Sequence, residues 1–578
     1  MSKWFFSKRK SENESSNTTS TNSTPSSLVS DLDKLNLTEE RLKRYVYEAN
    51  TQSSDITFTN NTEDETNLRA RAILLREKAV SKTLNNIKLS MKVDLCFVLD
   101  CSGSMQPHID AAKDCMLQVS NYIKNTNSNI KLRVGFCGYR DYYNEDMRLQ
   151  VFDFTDKYET FTRYLLNNVA AISNDDDPED VLGGLDAAVN QMDWQNTTRV
   201  LLHIGDYPPH GRRFTYLKDK YPDGDPNGLT PENILKEMQS KNILYFFGKV
   251  TCHTEKMLHV FREIIGEFPV FDIVGGDPIS LIENLVKATS SSITLAVSLT
   301  STVGSKEIYS LQQKKLDMNP NEPEWKILPL QKGVIMWYNI PRDLNQLEDP
   351  NYFNRSNLFS KSFTFKIASQ PFSAGVEKCA YFALDTQNSL MVIKEYHCVG
   401  KTNPFEKYLE AIEVSTVACF LSTKFNSIIK RGKIRKVNFL NVSLLRTGTV
   451  DLHTKYYTIE PRLNSGYKRF NANTGIITEL HHTLEAFAHF TYEYTKGYLV
   501  VCDLQGIELD GEFLLTDPAI HCVDPLRFGR TNFGKEGINQ CFLTNHKCNE
   551  ICKKLRLGNS DSNFGLKLKK LNLFKGCF

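Results

Sequence analysis

The stretch His546-Lys-Cys548-Asn-Glu-Ile-Cys552 sets an imidazole and two thiols within seven residues. Soft thiolates beside an imidazole at that spacing read as three ligands of a closed, tetrahedral zinc site. The fourth ligand must come from elsewhere, and the candidate is His489 in AFAHFTYEY. Between His489 and His546 lie Asp503-Leu-Gln505-Gly506, Thr516-Asp517-Pro518 and a glycine-rich loop from Gly529 to Gly537. Carboxylate and amide oxygens suit a hard cation such as Mg²⁺, and glycines let a backbone approach a phosphate closely. Together they suggest a phosphate-handling lobe stapled by zinc.

Gly529-x4-Gly534-Lys535 imitates a P-loop, but Glu536 stands where a Ser or Thr hydroxyl would ligate Mg²⁺. A P-loop ATPase is therefore excluded, and the absence of HRD and DFG excludes a conventional eukaryotic protein kinase. Upstream, FSAGVEKCAYFAL and MVIKEY read as two strands joined by a turn, with Lys394 inside the second. A lysine in an apolar strand is costly to bury unless an anion such as an ATP phosphate pairs with it. The alternative is an edge-strand lysine with its head in water.

A second constellation lies nearer the N-terminus. Asp100-Cys-Ser102-Gly-Ser104 follows the apolar run VDLCFVLD, so an acid and two hydroxyls converge at a strand end. Asp206 ends RVLLHIGD, and the run Asp175-Asp176-Asp177-Pro178-Glu179-Asp180 precedes a helical pattern. Three oxygen-bearing loops are what a hard divalent cation requires, and the acidic run offers carboxylates such as Asp177 or Glu179. The alternative is that Asp100 and the serines cap the helix that follows.

These residues need elements to hold them. The 578-residue chain is long enough for two or three domains, and Lys+Arg 70 against Asp+Glu 68 leaves a net charge of +2. A balanced charge with dispersed basic residues gives no support to a nucleic-acid partner. No apolar run approaches the ~18 residues of a membrane span and no signal peptide opens the chain, so a cytoplasmic location is expected. The fourteen cysteines are then reduced thiols, some of them metal ligands. The aromatic and basic start Lys3-Trp4-Phe5-Phe6 suits a peripheral membrane contact, though its shortness reads as a disordered end.

Residues 1–35 are a Ser/Thr/Asn-rich disordered tail and 36–90 a helical lead-in. Residues 91–291 alternate strand and helix, the pattern of a mainly parallel, doubly wound α/β sheet. Residues 292–365, including the alternating SITLAVSLTS, read as a β-rich connector. A second, α+β domain occupies 366–558, and 559–578 form a basic tail.

Two resemblances carry the reading further. DCSGS, DDPEDVLGGLDAA and GDYPPHG resemble a von Willebrand factor A domain with a metal-ion-dependent adhesion motif. That resemblance implies a divalent cation, most simply Mg²⁺, on Asp100, Ser102, Ser104, Asp177 and Asp206, and an unidentified protein ligand. FSAGVEKCAY, VIKEY, YTIEPRL, GYKRFNANTG, AFAHFTYEYTKGYLVVCDLQG, LTDPAIH, GRTNFGKEGI and HKCNEIC resemble, in order, the alpha-type protein kinases. The pairing is similar to the von Willebrand factor alpha-kinases. It implies ATP- and Mg²⁺-dependent phosphorylation of protein Ser/Thr, with Thr favoured, helical or myosin-like substrates, and autophosphorylation, for which segment 11–30 is a candidate. It also implies roles residue by residue. Lys394 would grip ATP phosphates, Glu460 would lie at the adenine, and Asp503 would be the catalytic aspartate. Gln505 and Asp517 would hold Mg²⁺; Gly529, Asn532 and Gly534 would line the phosphate and substrate loop; His489, His546, Cys548 and Cys552 would hold zinc. Lys378 stands where the family has an arginine, keeping the charge but losing the bidentate fork. The rival reading is a catalytically weak scaffold whose A domain binds a partner.

Overall fold

Apolar runs of strand length alternate with amphipathic segments, and they fold as that pattern requires. The computed structural model describes residues 65–558 apart from 174–175, 274–276, 304–317, 376, 397–404, 430–433, 449–453 and 465. The tail 1–35, the first part of the lead-in and the tail 559–578 lie outside the described residues.

Helix α1 (Glu65–Ser90) leads into β1 (Lys92–Asp100), α2 (Gln106–Thr126), β2 (Lys131–Tyr139) and β3 (Leu149–Thr155). There follow α3 (Tyr158–Asn168), α4 (Val181–Asn190), β4 (Thr198–Gly205), α5 (Pro231–Ser240), β5 (Ile243–Lys249), α6 (Glu255–Ile265), β6 (Val270–Asp272) and α7 (Pro278–Val303). The described strands form one sheet in the order β3-β2-β1-β4-β5-β6, with β3 antiparallel to β2 and the other pairs parallel. Val93, Leu95, Cys96, Phe97, Val98 and Leu99 are all buried, because helices cover both faces. One face packs on α2, α3 and α7, and the other on α4, α5 and α6. The order reverses at β1, so the loops after β1 and β4 meet at a topological switch point.

The expectation of strand in SITLAVSLTS is overturned, since residues 292–301 are the C-terminal half of α7. Ile293, Ala296 and Val297 share a buried helical face. The Ser292 and Thr294 hydroxyls donate back to the carbonyls of Ala288 and Ser290, bonds that a helix offers and a strand does not.

The next strands also correct the connector. β7 (Gln331–Trp337) and β8 (Phe359–Ile367) belong to the same sheet as β9 (Ser373–Ala374), β10 (Lys378–Asp385), β11 (Leu390–Tyr396), β13 (Ser443–Thr447) and β14 (Lys455–Pro461). This antiparallel sheet closes on itself through the β10–β11 pair, around Phe365, Ala383, Ile393, Leu445 and Ile459. The second domain therefore begins near residue 331, not 366.

Helix α8 (Phe405–Ile428) joins this barrel to a lower lobe. There β12 (Lys436–Phe439), β18 (Glu512–Thr516), β17 (Gln505–Leu509) and β15 (Lys468–Arg469) form one sheet, and β16 (Leu499–Cys502) with β19 (Ala519–Cys522) a second. Helices α9 (His482–Tyr494) and α10 (Glu550–Lys554) complete it. Its core runs through Leu409, Val417, Phe425, Phe487, Val501 and Ile520.

Candidate functional site

The acids and lysines that the sequence singles out meet in the cleft between barrel and lower lobe. β10 and β11 place Lys378 and Lys394 side by side, and both reach the turn after β18 that carries Asp517. Lys378 Nζ lies 3.1 Å from Asp517 Oδ1, while Lys394 pairs with Asp517 Oδ2 and, at 2.6 Å, with Glu460 Oε1. Lys394 is 8% exposed, so it is a buried lysine with anions, not an edge lysine in water. Burial pushes the Asp517 carboxyl up, but Lys378 and Lys394 outweigh it and hold the acid well below its usual range. Burial pulls both lysines down, and Asp517 more than reverses this.

The Glu460 side chain was expected beside an adenine. Its carboxylate pairs with Lys394 and accepts from the Thr516 hydroxyl at 2.7 Å.

Asp503 sits between β16 and β17, 8% exposed, with φ 55°. Arg469 grips it bidentately, Nε to Oδ1 at 2.8 Å and Nη2 to Oδ2 at 3.0 Å. Burial raises the Asp503 carboxyl, with Arg469 opposing. Gln505 Nε2 donates to the Asp517 carbonyl at 2.9 Å, and its Oε1 accepts from the Tyr467 hydroxyl at 2.9 Å. Gln505 at the start of β17 and Asp517 in the turn after β18 are thus tied together. Sequence reasoning missed Arg469, although GYKRFNANTG was recognised as a motif. A basic residue two positions before an Asn-x-Asn turn was the only signal.

The glycine-rich loop needs a correction. Gly529 and Gly534 have φ 76° and 65°, so they do supply left-handed backbone. Asn532 does not face a ligand. It is fully buried, its Oδ1 accepts from the Cys522 and Gly534 amides, and its Nδ2 donates to the Asp524 and Arg527 carbonyls. With both amide ends used, the side chain braces the loop from within.

His489, His546, Cys548 and Cys552 are brought together, with one donor atom from each within 4.8 Å of all the others. His489 Nδ1 and His546 Nε2 are 3.1 Å apart, and the Cys548 Sγ–His489 Nδ1 and Cys552 Sγ–His546 Nε2 separations are both 3.7 Å. A tetrahedral zinc with ordinary bond lengths would need about 3.3 Å and about 3.6 Å, so the donor set fits that ion. The other ring nitrogens face Glu493 and Glu485 at 3.8 and 3.9 Å, the usual outer partners of ligating histidines.

In the doubly wound domain, Asp100 and Asp206 meet at the switch point. Asp100 Oδ1 accepts from the Ser102 amide, whereas Asp100 Oδ2 and Asp206 Oδ1 are buried without a hydrogen-bond donor. Burial and then Asp206 push the Asp100 carboxyl well up. Orphaned facing carboxylate oxygens beside the Ser102 and Ser104 hydroxyls, themselves 3.2 Å apart, fit a divalent cation. Of the two candidate middle residues, Asp177 is half-buried and Glu179 is 2% exposed; burial, then Asp100 and Glu179, push the Tyr139 hydroxyl up. Nearby Asp141, Asp176 and His210 also cluster, but both ring nitrogens of His210 are 2.8 Å from carboxylates, Asp141 and Asp219. That imidazole is consumed by ion pairs. A large groove lined by Trp337, Arg342, Phe359 and Thr416 contains none of these groups. Among the described residues, no helix is long and apolar enough to cross a membrane.

The alpha-kinase family model matches residues 373–552. Alpha-protein kinase vwkA of Dictyostelium discoideum is 29% identical over 555 residues, covering 93% of this chain and 88% of that protein. Myosin heavy chain kinase B of the same organism is 31% identical over 194 residues, 33% of this chain and 25% of that protein, so the likeness spans a quarter of its length. A solved alpha kinase from Entamoeba histolytica is 29% identical, covering 41% of this chain and 94% of that one, with a TM-score of 0.35.

Proposed function

Residues 373–552 form an alpha-kinase domain and the chain is an alpha-type protein kinase; on that premise we propose that it moves the terminal phosphoryl group of ATP to Ser or Thr of a protein, with itself among the acceptors. The observation that carries this reading is the convergence of Lys378, Lys394, Asp503, Gln505 and Asp517 in one cleft. Phosphoryl transfer needs positioning and charge neutralisation more than covalent chemistry, and these groups are of the right kind. Lys378 and Lys394 would take phosphate oxygens in place of their present partner Asp517. That exchange leaves the Asp517 carboxylate, with Gln505, to hold Mg²⁺, which when bound neutralises charge between phosphates. Asp503 would accept a hydrogen bond and then the proton from the substrate hydroxyl, oriented by Arg469. Glycines 529 and 534 leave the loop backbone open to phosphate or substrate. Zinc on His489, His546, Cys548 and Cys552 would tie α9 to the C-terminal segment, a structural role because all four positions are filled by protein.

Residues 91–291 form a von Willebrand A-like recruitment domain in this reading. Asp100, Ser102, Ser104, Asp206 and Glu179 would hold a divalent cation whose open position takes an acidic group of a protein partner. Relatives named for myosin heavy chain suggest a helical protein substrate. Segment 11–30, a candidate for autophosphorylation, lies outside the described residues.

The test is label transfer from γ-labelled ATP with Mg²⁺ into the protein and a generic basic acceptor, beside Asp503→Ala and Lys394→Ala. Label on Ser/Thr that both substitutions abolish supports the reading. Zinc-loaded, folded protein that incorporates no label would leave the scaffold as the better account.

A further inference from the structure

Asn127 lies outside the matched kinase residues, at the C-terminal end of α2, yet it is buried against the catalytic lobe at 3% exposure. Its side chain makes a two-way contact with one residue of that lobe. Nδ2 donates to the Ile477 carbonyl at 2.9 Å, and Oδ1 accepts from the Ile477 amide at 2.8 Å. An amide side chain paired with both polar groups of one residue acts as a single added rung of backbone ladder.

Ile477 in turn pairs with Asn471 in an antiparallel bridge, and the Thr478 and Glu479 amides both donate to the Phe470 carbonyl. Residues 469–471 grip the segment that bears the acid. Arg469 holds the Asp503 carboxylate, Asn471 Oδ1 accepts from the Leu504 amide at 2.8 Å, and the Phe470 amide donates to the Leu504 carbonyl at 2.8 Å. The path thus runs from Asn127 to Ile477, across the Ala472–Ile476 and Thr478–Phe470 backbone bonds that frame the Ile477–Asn471 bridge, and from Phe470 and Asn471 to Leu504, the chain neighbour of Asp503. The packing agrees, because Ile476, Phe533 and Cys541 of the lower lobe join the core cluster of the doubly wound domain. Two further contacts cross the same face: Lys547 Nζ to the Lys124 and Asn125 carbonyls, and Arg76 of α1 to the Arg530 and Asn532 carbonyls.

We infer that Asn127 is a positioning residue for phosphoryl transfer: a side chain of the doubly wound domain fixes the 469–479 turn, and through it Asp503 and Arg469. The inference rests on Asp503 being the catalytic aspartate that takes the substrate proton. Removing the Asn127 amide strands a buried N–H and a buried C=O of Ile477, and the turn relaxes to satisfy them. Misplacement of Asp503 lowers turnover more than nucleotide binding, because Lys378 and Lys394 hang from the barrel on the other side of the cleft.

The experiment uses the full, zinc-loaded chain and compares wild type, Asn127→Ala, Asn127→Asp, Lys113→Ala and Asp503→Ala. Asn127→Ala is expected to lower kcat about tenfold, with KM for ATP within about twofold and zinc content unchanged. Asn127→Asp keeps the acceptor for the Ile477 amide and is expected to recover part of kcat. Lys113→Ala, on the same helix but paired with Asp110, is expected to match wild type. Wild-type kcat in Asn127→Ala, or a loss that rises in step with lost zinc and unfolding, overturns the inference. Activity surviving in Asp503→Ala would instead remove the reading on which it rests.

Discussion

Replacing Arg469 with glutamine should move the acid limb of activity to higher pH. The guanidinium donates two bonds to Asp503, at 2.8 and 3.0 Å. A charge-assisted bond is worth about 1.5–3 kcal/mol when sheltered. Here the Arg469 side chain is 40% exposed, so water screens the pair, and about 1.5–2 kcal/mol for both bonds together is the appropriate scale. Divided by 1.36 kcal/mol per unit, this is a rise of about one unit or slightly more in the Asp503 pKa. The sign is fixed by physics: Arg469 stabilises the ionised carboxylate, and burial already pushes that group up. Without its cation the acid takes a proton sooner as pH falls, and a protonated acid cannot accept one from the substrate hydroxyl.

The assay is kcat for transfer of labelled phosphate to an acceptor, measured from about pH 5 to pH 9. Arg469→Gln should show an acid limb displaced upward by about one unit, with a further loss of about tenfold on the plateau from misplacement. Arg469→Lys restores charge without the fork, so its limb should return most of the way while its plateau stays low. Profiles of all three proteins that superimpose, limb and plateau alike, would refute the proposed clamp.

Lys378→Arg should lower KM for ATP by up to about fivefold, because a planar fork can meet two phosphate oxygens where an amine meets one; steady-state kinetics check it, and an unchanged KM would count against phosphate contact at this position. Cys552→Ser should release one equivalent of zinc and lower the melting temperature, as read by metal analysis and calorimetry, since structural zinc contributes about 10–16 kcal/mol of apparent binding energy in small domains. Retained zinc would break the four-ligand set. Glu179→Gln should weaken Mn²⁺ binding to the doubly wound domain at least about tenfold while Asp177→Asn changes it less than about twofold. The opposite order in a calorimetric titration would return the middle ligand to Asp177.

What the amino-acid order revealed follows from the range of each interaction. The zinc ligands Cys548 and Cys552 are a turn apart and announce themselves by spacing. β1 was legible because a strand buried on both faces reads as a nearly continuous apolar run, here broken by the buried Asp94, and the acid that ends it emerges at the sheet's carboxyl edge. The Arg469–Asp503 clamp spans 34 residues, and nothing in either local pattern specifies the partner. Asp177 and Glu179 are two residues apart with like chemistry, and only the burial of the segment separates them. Asn532 failed for a related reason: glycines report that a backbone is permissive, but not which way the residue between them faces. In SITLAVSLTS a period of two and a helical face share Ile293 and Val297, and α2 decides between them by offering a helix-shaped surface.

The two acids of the cleft share one further property, left-handed backbone, with φ 55° at Asp503 and 46° at Asp517. A non-glycine residue there costs about 1–2 kcal/mol, so each must be held by its surroundings. Asp517 is held by Lys378 and Lys394 on the barrel side, and Asp503 by Arg469 on the lower-lobe side. The backbone that aims each carboxylate into the cleft is therefore stabilised in part by the cation that the carboxylate meets, beside the Gln505 bond to the Asp517 carbonyl and the Asn471 and Phe470 bonds to Leu504. Substituting Asp517 by Ala or by Gly removes the same ion pairs and strands the same two lysines, so the difference between the variants isolates the backbone. Ala keeps the strain and Gly relieves it, less the extra entropy of a glycine in the unfolded chain, which leaves Gly more stable by about 0.5–1 kcal/mol. Urea unfolding of the two variants measures that gap directly. An alanine variant more stable than the glycine one by about 0.5–1 kcal/mol, the glycine entropy alone, would mean that Asp517 stores no backbone strain.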